Sequence, residues 1–201
     1  MADVGILGGT FNPPHNGHIR LAGEFREKLG LDKILLIPTY TPPHKQAKEL
    51  ASAEDRLNMC SIIAETTDFL EVSDIEINRG GKSYTVDTLR ELTKRYPENN
   101  YFFLMGSDMF LTFHLWREYR EIFSLCTLCV ASRENGSDYE KLIEYAKETF
   151  GEDWGKVRIS PLEPMELSST EVREALHRGE ELSGLVPERI EEYIMKRGLY
   201  R

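Results

Sequence analysis

The stretch that decides the fold is Val4-Gly5-Ile6-Leu7-Gly8-Gly9-Thr10-Phe11-Asn12-Pro13-Pro14-His15-Asn16-Gly17-His18. Val4 to Leu7 is a short apolar run halted by two glycines, which reads as a buried strand. Beyond it, Ile19, Ala22, Phe25 and Leu29 recur on one helical face, and Gly30 stands where a C-terminal cap is expected. Lys33 to Pro38 (KILLIP) is a second buried strand. Strand, helix and strand in so short a span make a βαβ unit, which implies a parallel sheet and a right-handed crossover.

The pattern continues along the chain. Residues 39–51 read as a loop, and Ser52 to Asp55 resembles a capping box before a helix carrying Leu57, Ile62 and Ile63. Phe69 to Ile77 has β character, Arg79 to Lys82 is a turn, and Thr85 to Tyr96 is a helix stopped by Pro97. Tyr101 to Met105 is a buried strand that again ends in a glycine, Gly106. Strands follow at Thr127 to Ala131 and Val157 to Ile159, separated by an amphipathic helix from Ser137 to Phe150. Two helices, Ser169 to His177 and Pro187 to Lys196, close the chain. This alternation predicts an α/β fold: a doubly wound, Rossmann-like, mostly parallel sheet with helices on both faces and a small C-terminal helical addition. The expected organisation is one domain over 1–201, with an α/β core to about 160 and a helical part over about 161–201. Ligands of such sheets bind beyond the carboxyl ends of the strands. Gly8 to His18, Thr39 to Lys45 and Gly106 to Asp108 all fall there.

Composition excludes several classes. The 201 residues carry a formal net charge of -9, which argues against a broad nucleic-acid surface. No apolar stretch approaches the ~20 residues needed to span a bilayer. The N-terminus lacks the basic region and cleavage site of a secretory signal, so a cytoplasmic protein is expected. Cys126 and Cys129 form a CxxC inside the apolar run LCTLCVA. With no second CxxC and no nearby histidine, they read as reduced core cysteines.

The first loop has its own chemistry. Gly8 and Gly9 allow a close backbone approach, and the helix that starts near Asn16 turns its free N–H groups and positive dipole end toward the same crevice. His15 and His18 stand three apart across that helix start, available to a phosphate chain as hydrogen-bond donors or partial cations. The loop is neither the GxGxxG of dinucleotide binders nor a P-loop. The competing readings are a glycine turn with two surface histidines and a zinc site that lacks an evident third ligand.

His15-Asn16-Gly17-His18, preceded by Gly8, Gly9, Thr10 and Phe11, resembles the HxGH element of the nucleotidylyltransferase superfamily. Ser168-Ser169-Thr170-Glu171-Val172-Arg173 is similar to that superfamily's second signature, although Ser168 and Glu171 would form a capping box in any helix. Pro42-Pro43-His44-Lys45, Ser83-Tyr84-Thr85, Gly106-Ser107-Asp108, Trp116 and the terminal Gly198-Leu199-Tyr200-Arg201 narrow the resemblance to bacterial nicotinate-nucleotide adenylyltransferases. That resemblance runs over essentially the whole chain.

It implies transfer of AMP from ATP to nicotinate mononucleotide, giving deamido-NAD and pyrophosphate in NAD biosynthesis. His15, His18 and Arg173 would be catalytic. ATP would meet Gly8, Gly9, Thr10, Phe11, Gly106, Asp108, Arg133, Ser168, Ser169 and Thr170. The mononucleotide would meet His44, Lys45, Ser83, Tyr84, Thr85 and Trp116, with Trp116 stacked on the pyridine ring and Thr85 at the nicotinate carboxylate. Mg2+ would be bound through the nucleotide phosphates. No nucleic acid or membrane partner is expected, and a homo-oligomer is compatible with the sequence. Departures from the family pattern are Asn12 for the usual aspartate, Thr39 for asparagine, Arg117 for tyrosine, and Glu134-Asn135 after Arg133. The alternatives are a sister enzyme using nicotinamide mononucleotide or phosphopantetheine, and a non-catalytic nucleotide sensor.

Overall fold

The computed structural model describes residues 1–42, 49–133, 138–162 and 167–201, Arg133 by its backbone alone. The elements run β1 (Asp3–Gly9), α1 (Asn16–Leu29), β2 (Lys33–Pro38), α2 (Ala53–Ala64), β3 (Leu70–Val72), α3 (Ile75–Arg79), α4 (Thr85–Arg95), β4 (Asn100–Gly106), α5 (Ser107–Phe110), α6 (Tyr119–Leu125), β5 (Thr127–Arg133), α7 (Tyr139–Phe150), β6 (Arg158–Leu162), α8 (Ser169–His177) and α9 (Glu188–Arg197). Two 3₁₀ turns, Phe113–Leu115 and Gly151–Lys156, lie among them. The strands form one six-stranded parallel sheet in the order β3-β2-β1-β4-β5-β6. The order reverses between β1 and β4, which is the Rossmann-like topology expected from the βαβ pattern.

Two expectations are corrected. Only Leu70–Val72 of the stretch Phe69 to Ile77 is a strand, and Ile75–Arg79 is the helix α3. Ile75 and Glu76 are consecutive and both buried, which a strand would place on opposite faces. Nor is β1 halted before its glycines. Gly8 and Gly9 complete the strand, and the left-handed residue is Phe11, at φ 50°. Its ring is 1% exposed and lies 4.9 Å from the His18 ring, so aromatic burial offsets the backbone cost.

The chain forms two compact units, each assembled from three segments. One comprises Met1–Leu7, Leu21–Ile34 and Tyr84–Pro164. In it β4 is in register with β1 through Val4 and Tyr101, and with β5 through Leu104 and Cys129. Val4, Ile6, Phe25, Ile34, Leu89, Phe103 and Leu128 are buried there. Gly5 is required by packing, because a Cβ would stand 2.7 Å from Ile34 Cγ1. Cys129 is buried in β5, as expected of a core cysteine, whereas Cys126 is half-buried and caps α6 just before the strand; both are free thiols whose pKa burial raises.

The other unit comprises Gly8–Arg20, Leu35–Ser83 and Met165–Arg201. Its core holds Phe11, Leu36, Ile37, Met59, Ile63, Val172, Ile190 and Ile194. α2 packs against both β3 and α9. Ser52 caps α2 by accepting the Asp55 N–H at 3.0 Å. Tyr193 and Arg197 of α9 each hydrogen-bond the Asp55 carboxylate, at 2.9 and 3.0 Å.

Candidate active site

The loop from Gly8 to His18 lies within one unit, together with the start of α8. His15 is 5% exposed, and its ring centroid is 3.7 Å from that of His18. The His15 N–H donates to His18 Nδ1 at 3.2 Å, and the His18 N–H returns to the His15 carbonyl at 2.9 Å. An N–H donor at Nδ1 selects the tautomer that carries its proton on Nε2, which leaves that N–H to donate elsewhere. His15 Nδ1 is buried and has no hydrogen-bond partner among the described residues. Gly17 must lack a side chain, because a Cβ there would stand 2.9 Å from His15 Nδ1.

Both imidazoles are held neutral. Burial lowers the His15 pKa to about 4, against a smaller opposing pull from Glu171. Burial, and then the neighbouring His15, lower that of His18 well below the ordinary value. Of the two roles left open by the sequence, donor or partial cation, these shifts favour the neutral donor. A pair of surface histidines does not describe this arrangement, and no group of three His, Cys, Asp or Glu suited to a metal occurs among the described residues.

The second signature docks on the first loop through its main chain. Ser168 forms a complete capping box with Glu171, whose carboxyl is held low by the Ser168 hydroxyl and N–H. Ser169 Oγ donates to the Pro13 carbonyl at 2.8 Å. Arg173 donates from one terminal nitrogen to the Asn12 carbonyl at 2.7 Å and to the Ser169 carbonyl at 3.0 Å, and from the other to Thr170 Oγ1 at 3.3 Å. The helix N-terminus, the guanidinium and the two imidazoles thereby converge around residues 12–18, a cluster of donors suited to an anion. Asn16 ties the same loop to the C-terminal segment: its N–H and side-chain amide donate to Leu185 and Gly184 carbonyls at 2.9 and 2.8 Å.

Arg56 is a residue of this unit that the sequence reading passed over. Its guanidinium is fully buried and donates to three main-chain carbonyls: Thr10 at 2.8 Å, Tyr40 at 3.0 Å and Ala51 at 3.1 Å. It thus joins the loops after β1 and β2 to the lead-in of α2. The signal was present: Arg56, Met59, Cys60 and Ile63 have the spacing of one helical face, and an arginine on an apolar stripe needs buried acceptors. Ser83 also proves structural in its contacts, being buried with its Oγ accepting the Tyr40 N–H at 2.9 Å.

The remaining predicted residues among those described belong to the other unit. Trp116 is half-buried, edge-on to Phe103 at 5.9 Å and tilted against Phe113 at 5.3 Å. Tyr84, not Thr85, is the N-cap of α4, and no side chain caps that helix. Thr85 occupies its first turn. The Arg117 guanidinium lies 4.8 Å from the Tyr84 ring centroid and is paired with Glu118 and Asp87. Asp108 is exposed in α5, one residue beyond Ser107, and Gly106 ends β4. The Arg133 backbone ends β5. His44 and Lys45 lie outside the described residues.

The cytidylyltransferase-like family matches residues 6–175. A relative from Desulfatibacillum aliphaticivorans is 39% identical over 98% of this chain and 99% of its own. One from Desulfitobacterium hafniense (strain Y51) is 39% identical over 98% and 95%. Both are named probable nicotinate-nucleotide adenylyltransferase. The Plasmodium falciparum nicotinic acid mononucleotide adenylyltransferase, solved with APC and with NaAD, shares the fold at a TM-score of 0.78 and 18% identity, covering 100% of this chain and 98% of its own. With its HxGH histidines paired at the start of α1 and Arg173 docked on the same loop, the chain belongs to the cytidylyltransferase-like family and, within it, to the nicotinate-nucleotide adenylyltransferases.

Proposed function

We propose that this chain transfers the adenylyl group of ATP to nicotinate mononucleotide. The 5′-phosphate oxygen of the mononucleotide attacks the α-phosphorus in line, the bond from that phosphorus to the bridging oxygen breaks, and pyrophosphate leaves with the electron pair. The observation that carries this reading is the His15–His18 ring pair at the start of α1, His15 buried and His18 half-buried, with Arg173 and the α8 N-terminus bonded to the same loop. It offers donors to phosphate oxygens and, among the described residues, no evident nucleophile–base pair, so in this reading rate acceleration comes from positioning and from stabilising charge on the phosphates.

In this reading the neutral imidazoles of His15 and His18 donate to the α-phosphate region, where charge develops. Arg173, Ser168, Ser169 and Thr170 hold the β- and γ-phosphates, and the C-terminal helical part thereby completes the ATP site of a single nucleotidyltransferase domain. Gly8, Gly9, Thr10 and Phe11 form the wall of the triphosphate loop. Gly106 and Asp108 serve the adenosine ribose, and Arg133 its phosphates. Tyr84 and Thr85 receive the nicotinate carboxylate, Trp116 stacks on the pyridine ring, and Ser83 shapes that loop. His44 and Lys45 serve the mononucleotide phosphate.

The side chains gathered at the first loop are imidazoles, a guanidinium and neutral hydroxyls, which fit phosphate oxygens better than a hard cation that seeks carboxylates. Magnesium would accordingly be held by phosphate oxygens and water, neutralising charge on the leaving group. No helix of the described residues is long and apolar enough to cross a membrane, and a cytoplasmic setting fits a substrate pair of this kind.

The test is pyrophosphate release from ATP with each of nicotinate mononucleotide, nicotinamide mononucleotide and phosphopantetheine as acceptor. Fastest turnover on nicotinate mononucleotide is expected. Turnover on phosphopantetheine alone would reassign the chain to a sister reaction, and ATP binding without turnover on any acceptor would make it a sensor.

A further inference from the structure

We infer that Tyr200 is a positioning residue for the phosphate loop, acting through Asn12: its hydroxyl donates to Asn12 Oδ1 at 2.8 Å in the buried interior of the unit that holds the histidines. What it positions rests on the function proposed above.

Asn12 uses both ends of its amide. Oδ1 also accepts the Ala51 N–H at 2.9 Å, Nδ2 donates to the Glu49 carbonyl at 3.1 Å, and the Asn12 carbonyl accepts Arg173 at 2.7 Å. Rotating the amide by half a turn would set its NH2 against the Ala51 N–H and its oxygen against the Glu49 carbonyl, so these bonds fix one orientation. The family's usual aspartate would lack the donor to Glu49, which is why asparagine fits this loop. The residue before Asn12 is the left-handed Phe11 and the one after it is Pro13, whose carbonyl takes Ser169. Asn12 therefore sits where the loop changes direction and where α8 is docked, and a shift there moves the carbonyls that aim Arg173 and Ser169.

The C-terminus is built to deliver the phenol. α9 is fixed to α2 through Tyr193 and Arg197 on Asp55, and Gly198 caps it at φ 63°. The Leu199 N–H closes back on the Ile194 carbonyl at 3.1 Å, and Tyr200 itself takes a positive φ of 57°. A tyrosine in the left-handed region persists where surrounding contacts over-determine it. Burial raises the phenol pKa, so the hydroxyl remains a donor across the working pH range.

The experiment is Tyr200→Phe, which keeps the ring and removes the one hydroxyl, assayed for both substrates and for thermal denaturation. Expected is a fall of about tenfold in kcat/KM for ATP, with KM for nicotinate mononucleotide unchanged within about twofold. Kinetic constants within about twofold of the parent, or losses shared equally between the substrates in step with a lower Tm, would overturn the proposal. Asn12→Ala should show the same ATP-selective loss, and adding Tyr200→Phe to it should cost nothing further. Additive losses would overturn the route through Asn12. Should the parent chain fail to turn over nicotinate mononucleotide, the functional reading fails separately. The positioning is then read from ATP binding by calorimetry, where about tenfold weaker binding by Tyr200→Phe supports it and equal binding overturns it.

Discussion

The two ends of the proposed reaction are held by different physics. Around residues 8–18 the loop is fixed by partly buried polar bonds to main chain: Arg56 on Thr10, Arg173 on Asn12, Ser169 on Pro13, and the two histidines on each other. Around residues 84–121 the chain is fixed by aromatic packing of Trp116 on Phe103 and Phe113, and by exposed ion pairs of Arg90 and Arg117 with Asp87, Glu118 and Glu121. Buried donors aimed at carbonyls tolerate little movement, because each lost bond leaves an unsatisfied group. Exposed ion pairs re-form in other geometries at little cost. On the proposed function, a triphosphate whose charge must be met at the moment of transfer would call for the first design, and a planar ring that needs only a flat face would be served by the second.

The comparison breaks first at His18. Replacing it with alanine should lower kcat by roughly 10²–10³-fold while leaving KM for the mononucleotide nearly unchanged, as expected for a donor used mainly in the transition state. An unchanged kcat at saturating substrates would remove the phosphate loop from the chemistry. Arg56→Met tests the scaffold beneath it. Three buried carbonyls lose their donor, and a stability loss of about 3 kcal/mol by chemical denaturation is expected. A loss no greater than that of a surface arginine would show that the three bonds do not hold the loops.

The histidines also give the loop a pH signature. The His15 pKa is about 4 when folded and 6.5 as an unperturbed group, so the unfolded chain binds the proton first as pH falls. The contribution of His15 is complete above its unfolded pKa and is lost as pH drops from there toward 4. The expected loss is on the order of 2 kcal/mol between about pH 7 and pH 5. Asp55 and Glu171, whose pKa values are lowered on folding, lose their contributions only below their ordinary values of 3.8 and 4.5, so the upper part of the window belongs to histidine. Denaturation melts across this range should flatten in His15→Gln, and a profile unchanged by that substitution would contradict the burial argument.

Smaller effects are expected on the acceptor side. Trp116→Ala should raise KM for the mononucleotide about tenfold with kcat largely kept, in line with the loss of one stacking face. A change confined to the ATP constants would move the ring to the other substrate. Arg90→Gln, which dissolves an exposed network, should leave Tm and both KM values without measurable change. A clear drop would mean that the two regions are held more alike than their geometry indicates.

Local pattern made much of this legible. Apolar runs ending in glycine located β1 and β4, and helical spacing located α1, α4 and α9. The Ser168 to Glu171 capping box marked the start of α8 to the residue. The short helices α5 and α6 and the 3₁₀ turn between them escaped, because segments of three to seven residues carry too few turns for periodicity to register. At the candidate site, the first loop was readable as an anion-binding element and Ser168 to Glu171 as a capping box; only the resemblance joined them.

By itself the sequence determined the parallel α/β fold, since strand and helix periods, caps and glycine positions are encoded within a few neighbours. Only the tertiary structure decided that His15 and His18 are neutral, that Arg56 binds three carbonyls, and that Tyr200 reaches Asn12 from 188 positions away. Burial and hydrogen-bond partners between distant segments depend on how the whole chain packs, and no local pattern specifies them.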